Sequence, residues 1–154
     1  MMEIFYYPLF LLYCIAAAVA LPIPVEAGLL NAAEYWEMLL LALIMGVGKA
    51  AGSNVVYRIG LNFDLENGRL KRFRWWRNGQ RHLVKLLEHH GYAAMYVIMS
   101  IPLMTDTVPL YAFSLLNKDG EVFSEMWFVI TNFWAGMSRA FLVFILAMLG
   151  LWVF

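Results

Sequence analysis

The chain has 154 residues, 63% of them hydrophobic and 14% charged, with a mean hydropathy of +0.69 and a formal net charge of zero. A soluble domain carries about a quarter charged residues, and the apolar residues here run in long blocks without a 2- or 3.6-residue alternation, so the composition excludes an ordinary soluble domain and points to an all-α integral membrane protein. Neutral charge gives no general argument for nucleic acid, and the single cysteine, Cys14, excludes an intrachain disulfide or a cysteine-rich metal site.

Residues 4–21 form a first apolar segment, with Pro8 near its start, where a helix tolerates it. Glu3, without a basic neighbour, does not match the positive n-region of a signal peptide, so the segment is expected to be retained. Leu21-Pro22-Ile23-Pro24 then stops the helix, because residues before proline are driven out of the helical region. The arm over 26–33 is too brief, at about 1.5 Å per residue, to cross a hydrocarbon core of about 30 Å. Short, proline-broken and acid-bearing, it reads as half of a re-entrant hairpin. Tyr35 to Gly60 reads as a full span, with Tyr35 and Trp36 at one water–lipid interface and Tyr57 and Arg58 at the other. Gly46, Gly48 and Gly52, with Ala50 and Ala51, make a small-residue face containing Gly48-x-x-x-Gly52. It suits close packing against a helix of the same chain, or a homo-oligomer seam.

Nine of the eleven Lys and Arg residues lie between Lys49 and Lys85, which places the central loop in the cytoplasm by the positive-inside bias. Within residues 62–79, the aromatic-rich basic run Arg69–Arg77 reads as an anchor against anionic headgroups, in preference to an RNA site. Residues 80–90 read as an amphipathic interfacial helix, whose His82, His89 and His90 fit no strong metal motif. Residues 91–103 are the next apolar arm, broken by Pro102; Thr105-Asp106-Thr107 is a polar tip, and Pro109 to Leu116 returns apolar. Asn117-Lys118-Asp119-Gly120 is a turn in type. Residues 125–154 form a final span interrupted by Asn132, Gly136, Ser138 and Arg139.

The expected organisation is one transmembrane domain over 1–154: a first hairpin and span (1–60), a cytoplasmic basic loop with an interfacial helix (61–90), and a second hairpin and span (91–154). An odd number of crossings separates the hairpins, so the halves form an inverted repeat. Pro22, Pro24, Pro102 and Pro109 are the expected hairpin breakers, and Gly48 and Gly52 the helix-packing residues.

The chemistry lies in a pattern that occurs twice: Leu21-Pro22 followed by Glu26, and Ile101-Pro102 followed at the same distance by Asp106. A proline frees a backbone carbonyl, and a carboxyl at membrane depth needs a partner, a proton or water. If both tips meet near the midplane, Glu26 and Asp106 face one another and trade a proton as a coupled pair; alternatively each merely caps amides at a broken helix end. Arg139 sits in the last span and either neutralises Glu26 or Asp106, binds a lipid phosphate, or snorkels outward. Asn132 is a candidate partner for a broken helix end; Thr105, Thr107 and Asn54 are weaker candidates for the same cavity. No Ser/His/Asp set, phosphate-cradling glycine loop or metal-ligand cluster marks an enzyme, and no cofactor or metal is called for.

These residues resemble the DedA family, also called VTT or SNARE-associated membrane proteins, over residues 16–151. The local matches are Leu21-Pro22-Ile23-Pro24-Val25-Glu26, the glycine-spaced helix Gly48 to Gly60 ending in Tyr57-Arg58-Ile59-Gly60, His90-Gly91-Tyr92-Ala93-Ala94 followed by Ile101-Pro102 and Val108-Pro109, and Asn132 to Gly136. Typical members carry an arginine before the Ile-Pro step and another near the loop tip, where this chain has Ser100 and Thr105. The resemblance implies flipping or scrambling of a membrane lipid, such as a polyprenyl phosphate or a phospholipid, in the plasma membrane and with dependence on protons. The readings kept beside it are a proton-coupled exporter of a small cation or drug and a non-transporting structural membrane protein.

Overall fold

The computed structural model describes residues 2–21, 25–31, 35–62, 90–117 and 122–149; among these the regular elements are all helical. Helix α1 spans Met2–Val19, a short 3-10 helix spans Val25–Asn31, and α2 spans Tyr35–Asn62. Residues 90–100 form α3, followed by α4, Thr107–Leu116, and α5, Glu125–Met148. The basic loop, most of the interfacial helix with His82 and His89, and Pro22 and Pro24 lie outside the described residues.

Tyr35–Leu61 and Glu125–Met148 are the two described helices long and apolar enough to cross a membrane; Phe5–Val19 and Thr107–Leu116 are shorter apolar helices. The prolines act differently from one another. Pro8 lies inside α1, deeper than expected, because the helix already begins at Met2. Pro102 breaks the chain as expected. Ahead of it, the Ile101 amide bonds the Ile98 carbonyl at 3.3 Å, tightening the last turn, and Leu103 after it adopts φ 62°. Pro109 is not a breaker: it occupies the first turn of α4, where a missing N–H leaves no bond unmade.

Contacts between named residues fix the helix directions. Helices α1 and α2 run parallel, with Gly48 against Cys14 and Gly52 against Ala18. The chain therefore reverses between them, and the 3-10 helix returns beside the start of α1, where the Tyr6 hydroxyl donates to the Gly28 carbonyl. The glycine face is thus spent on α1 of the same chain; Gly48→Ala would place a methyl 2.5 Å from the Cys14 Cβ. Helices α3 and α5 also run parallel: the Ser124 amide donates to the Tyr92 hydroxyl at 2.9 Å, and the Tyr96 and Ser138 hydroxyls bond at 2.6 Å. Helix α4 doubles back, so that Phe113 and Tyr92 both pack on Phe123. Helices α2 and α5 are antiparallel. Gly46 meets Gly136 at one level, the Tyr57 ring packs tilted against Phe128 beyond it, and Arg58 pairs with Glu125 at the end.

Two apolar clusters form the core. One joins Phe10, Cys14 and Ala17 of α1 with Val25, Leu29, Leu41, Met45, Val143 and Phe144. The other joins Val56 and Tyr57 with Met95, Met99, Leu110, Phe113, Phe123 and Phe128. Tyr57, expected at a water–lipid interface, is instead buried in this second cluster, its hydroxyl donating to the Phe123 carbonyl at 2.7 Å. Phe5, Leu9, Val97, Val108, Trp134 and Ile145 point outward.

Candidate functional site

Between the two apolar clusters lies a layer of four charged side chains, each from a different segment. Glu26 comes from the 3-10 helix, Lys49 from α2, Asp106 from the residue before α4, and Arg139 from α5. Their residue exposures are 0%, 0%, 4% and 1%. Along α2 the order is Met45, Lys49, Val56, and along α5 it is Ala135, Arg139, Val143, so each base sits where its helix passes from one cluster to the other.

Arg139 spans the two carboxylates. Its Nε donates to Glu26 Oε1 at 2.5 Å, Nη1 to Asp106 Oδ1 at 2.6 Å, and Nη2 to the Met104 carbonyl at 2.5 Å and also to Glu26 Oε1. Lys49 Nζ reaches the same oxygen of Asp106 at 2.9 Å and the Met99 carbonyl at 3.0 Å. Formally the cluster holds two positive and two negative charges. That balance matters, because an uncompensated charge moved from water into a low-dielectric interior costs several kcal/mol.

The break at Pro102 supplies the remaining partners. In a continuing helix the Leu103 amide would bond the Met99 carbonyl. Here the Leu103 amide donates to Glu26 Oε1 at 2.8 Å, and the Met99 carbonyl accepts from Lys49 instead. The two polar groups freed by the turn are therefore taken up by charged side chains, one acid and one base. Among the described residues, Glu26 Oε2 is buried without a hydrogen-bond partner, as is Asn132 Oδ1. Leu103 pays for this geometry in backbone strain, since a non-glycine residue in the left-handed region is about 1–3 kcal/mol above its relaxed state.

Of the residues singled out from the sequence, Glu26, Asp106 and Arg139 are brought together. One detail differs from expectation: the carboxyls do not face one another alone but share Arg139. Of the alternatives open for Arg139, it takes the neutralising one, turned inward onto both acids. Asn132 does not serve a broken end; its Nδ2 donates to the Phe128 carbonyl of its own helix at 2.9 Å and approaches Met95 Sδ at 3.8 Å. Thr105 is half-buried beside Asp106, while Thr107 ties the start of α4 to α1 through the Ala17 and Leu21 carbonyls at 2.8 and 3.2 Å.

Lys49 is the member sequence reasoning missed, because it was counted with the basic residues of the central loop. A signal for it exists: Gly46-x-x-Lys49 in α2 recurs as Gly136-x-x-Arg139 in α5. The glycines have a physical task. A Cβ on Gly136 would stand 2.9 Å from Lys49 Cδ and 3.1 Å from Gly46 Cα, so the missing side chains let the helices close and give the lysine stem its path.

Among the described residues no group of three or more His, Cys, Asp or Glu is placed to hold a metal ion. Compared with protein-family models, with curated proteins and with solved structures, the chain matches none.

Proposed function

We propose that the chain is a multi-pass protein of the plasma membrane, of DedA type, that carries a lipid headgroup across the bilayer through the Glu26–Lys49–Asp106–Arg139 site. The observation that carries the reading is the inverted polarity of the molecule: four charged side chains fully enclosed, and large apolar residues facing out. A structural protein gains nothing from such a layer, since well-packed apolar residues of similar volume are as stable or more so. Charge at membrane depth is retained where it works.

The helix directions support two inverted halves. Each half has an arm, a return segment and a span parallel to its arm: α1, Val25–Asn31 and α2 in the first, and α3, α4 and α5 in the second. The spans are antiparallel. The acid of each return segment pairs with the base of the other half's span, Glu26 with Arg139 and Asp106 with Lys49. In this reading the return segments are re-entrant hairpin arms whose tips meet at the charged layer.

The charge balance also gives proton coupling a physical basis. An anionic phosphate that displaces a carboxylate from Arg139 leaves the layer with one excess negative charge, and protonation of the displaced carboxyl removes it. A small-cation exporter fits less well, since Lys49 and Arg139 already neutralise both acids. The test is reconstitution in liposomes with a fluorescent phospholipid. Glu26→Gln and Asp106→Asn are each expected to slow translocation at least tenfold and to flatten its dependence on pH. Wild-type rates and an unchanged pH profile in both variants would refute the coupled mechanism.

A further inference from the structure

The four charges are related in pairs, yet their bonding is lopsided. Interchanging the halves maps Glu26 onto Asp106 and Lys49 onto Arg139, as the recurring Pro-x-x-x-acid and Gly-x-x-base patterns already imply. Two of the ion pairs, Arg139–Glu26 and Lys49–Asp106, map onto each other and so obey this symmetry. The third, Arg139–Asp106 at 2.6 Å, has no counterpart here: its image would be Lys49–Glu26. The packing is lopsided in the same sense, with α4 of the second half tied to α1 of the first through Thr107 and Tyr111.

We propose that Lys49 is the alternating partner of Arg139: in the conformation open to the opposite side, Lys49 bridges Glu26 and Asp106, and Arg139 keeps Glu26 alone. This rests on the transport reading and gives Lys49 a switching role within it. In an inverted repeat the second state is the first with the halves exchanged, so the bonding pattern must exchange too. Only one ion pair changes hands, Arg139–Asp106 for Lys49–Glu26. Both symmetric pairs persist and the layer stays neutral throughout. Glu26 Oε2, buried and without a partner among the described residues, is the acceptor open to the incoming lysine. A fully enclosed charged layer can therefore sit at the pivot of a conformational change without exposing a net charge to hydrocarbon at either end of it. Lys49 is a positioning residue in this scheme, acting on the two acids.

The experiment reports the two states by disulfide cross-linking of L21C with T107C in a C14A background, across the α1–α4 contact seen here. K49M leaves Arg139 as the sole bridge and is expected to raise the cross-linked fraction about twofold or more. R139M is expected to lower it by a similar factor. K49R supplies a fork that reaches both acids and is also expected to lower it; it is the variant of choice should K49M fail to fold. Shifts of K49M and R139M in the same direction, or no difference between K49M and K49R, overturn the proposal and leave transport standing if the wild type still moves labelled phospholipid. A wild type that moves no phospholipid and cross-links to one fixed extent overturns the transport reading and this proposal together.

Discussion

Removing Arg139 tests whether the enclosed layer is held by charge balance. In Arg139→Met the guanidinium donors to Glu26, Asp106 and the Met104 carbonyl are lost; Asp106 keeps Lys49, and among the described residues Glu26 keeps only the Leu103 amide. Lys49 then faces two carboxylates, and the layer carries a net negative charge at 0–4% exposure. Breaking a buried pair by deleting one partner costs about 3–5 kcal/mol. Adding the separate hydrogen bonds would count the same desolvation again. At about 2–4 °C per kcal/mol for a chain of this size, the midpoint of thermal unfolding falls by roughly 6–20 °C, read by intrinsic fluorescence in detergent. The decisive comparison is the double variant Arg139→Met with Glu26→Gln, which restores neutrality. Residues in one network couple by about 0.5–3 kcal/mol, so at the same conversion the double variant is expected to melt about 1–12 °C above the sum of its singles. A single variant within about 2 °C of wild type, or a double variant that melts as the sum of its singles, would show that charge balance does not hold the layer.

Gly136→Ala should destabilise by about 1–3 kcal/mol through overpacking, since its methyl lands 2.9 Å from Lys49 Cδ and 3.1 Å from Gly46 Cα; it should also slow translocation by displacing the lysine stem, which a liposome assay reads. Gly48→Leu should abolish the folded state, because α1 lies against that position, and a monodisperse wild-type-like peak in gel filtration would contradict the α1–α2 contact. At Leu103, half exposed at 51% with φ 62°, Leu103→Gly should leave the melting temperature equal or raised by up to about 1 kcal/mol equivalent, whereas the β-branched Leu103→Val should lower it. Glu125→Gln should change stability by less than about 1 kcal/mol, as its ion pair with Arg58 is solvent-exposed.

The sequence by itself determined that this chain is helical, that Pro102 ends one helix and α2 runs unbroken, and that Glu26, Asp106 and Arg139 are the costly residues among apolar ones. It did so because cost is local: a proline, a carboxyl or a guanidinium inside an apolar block requires a partner wherever the helices end up. Which partner is a question of register and direction, and only the tertiary structure decided it. The parallel pairing of α1 with α2 consumed the Gly48 and Gly52 face, which from sequence also left a second copy of the chain open as its partner. The antiparallel crossing of α2 and α5 at Gly46 and Gly136 brought Lys49 to Asp106 and pointed Arg139 inward. Tyr57 likewise read as an interfacial residue until the approach of Phe123 and Phe128 enclosed it. Counted with the basic residues of the central loop, Lys49 looks solvated in one dimension; its burial depended on a glycine in another helix making room for four methylenes.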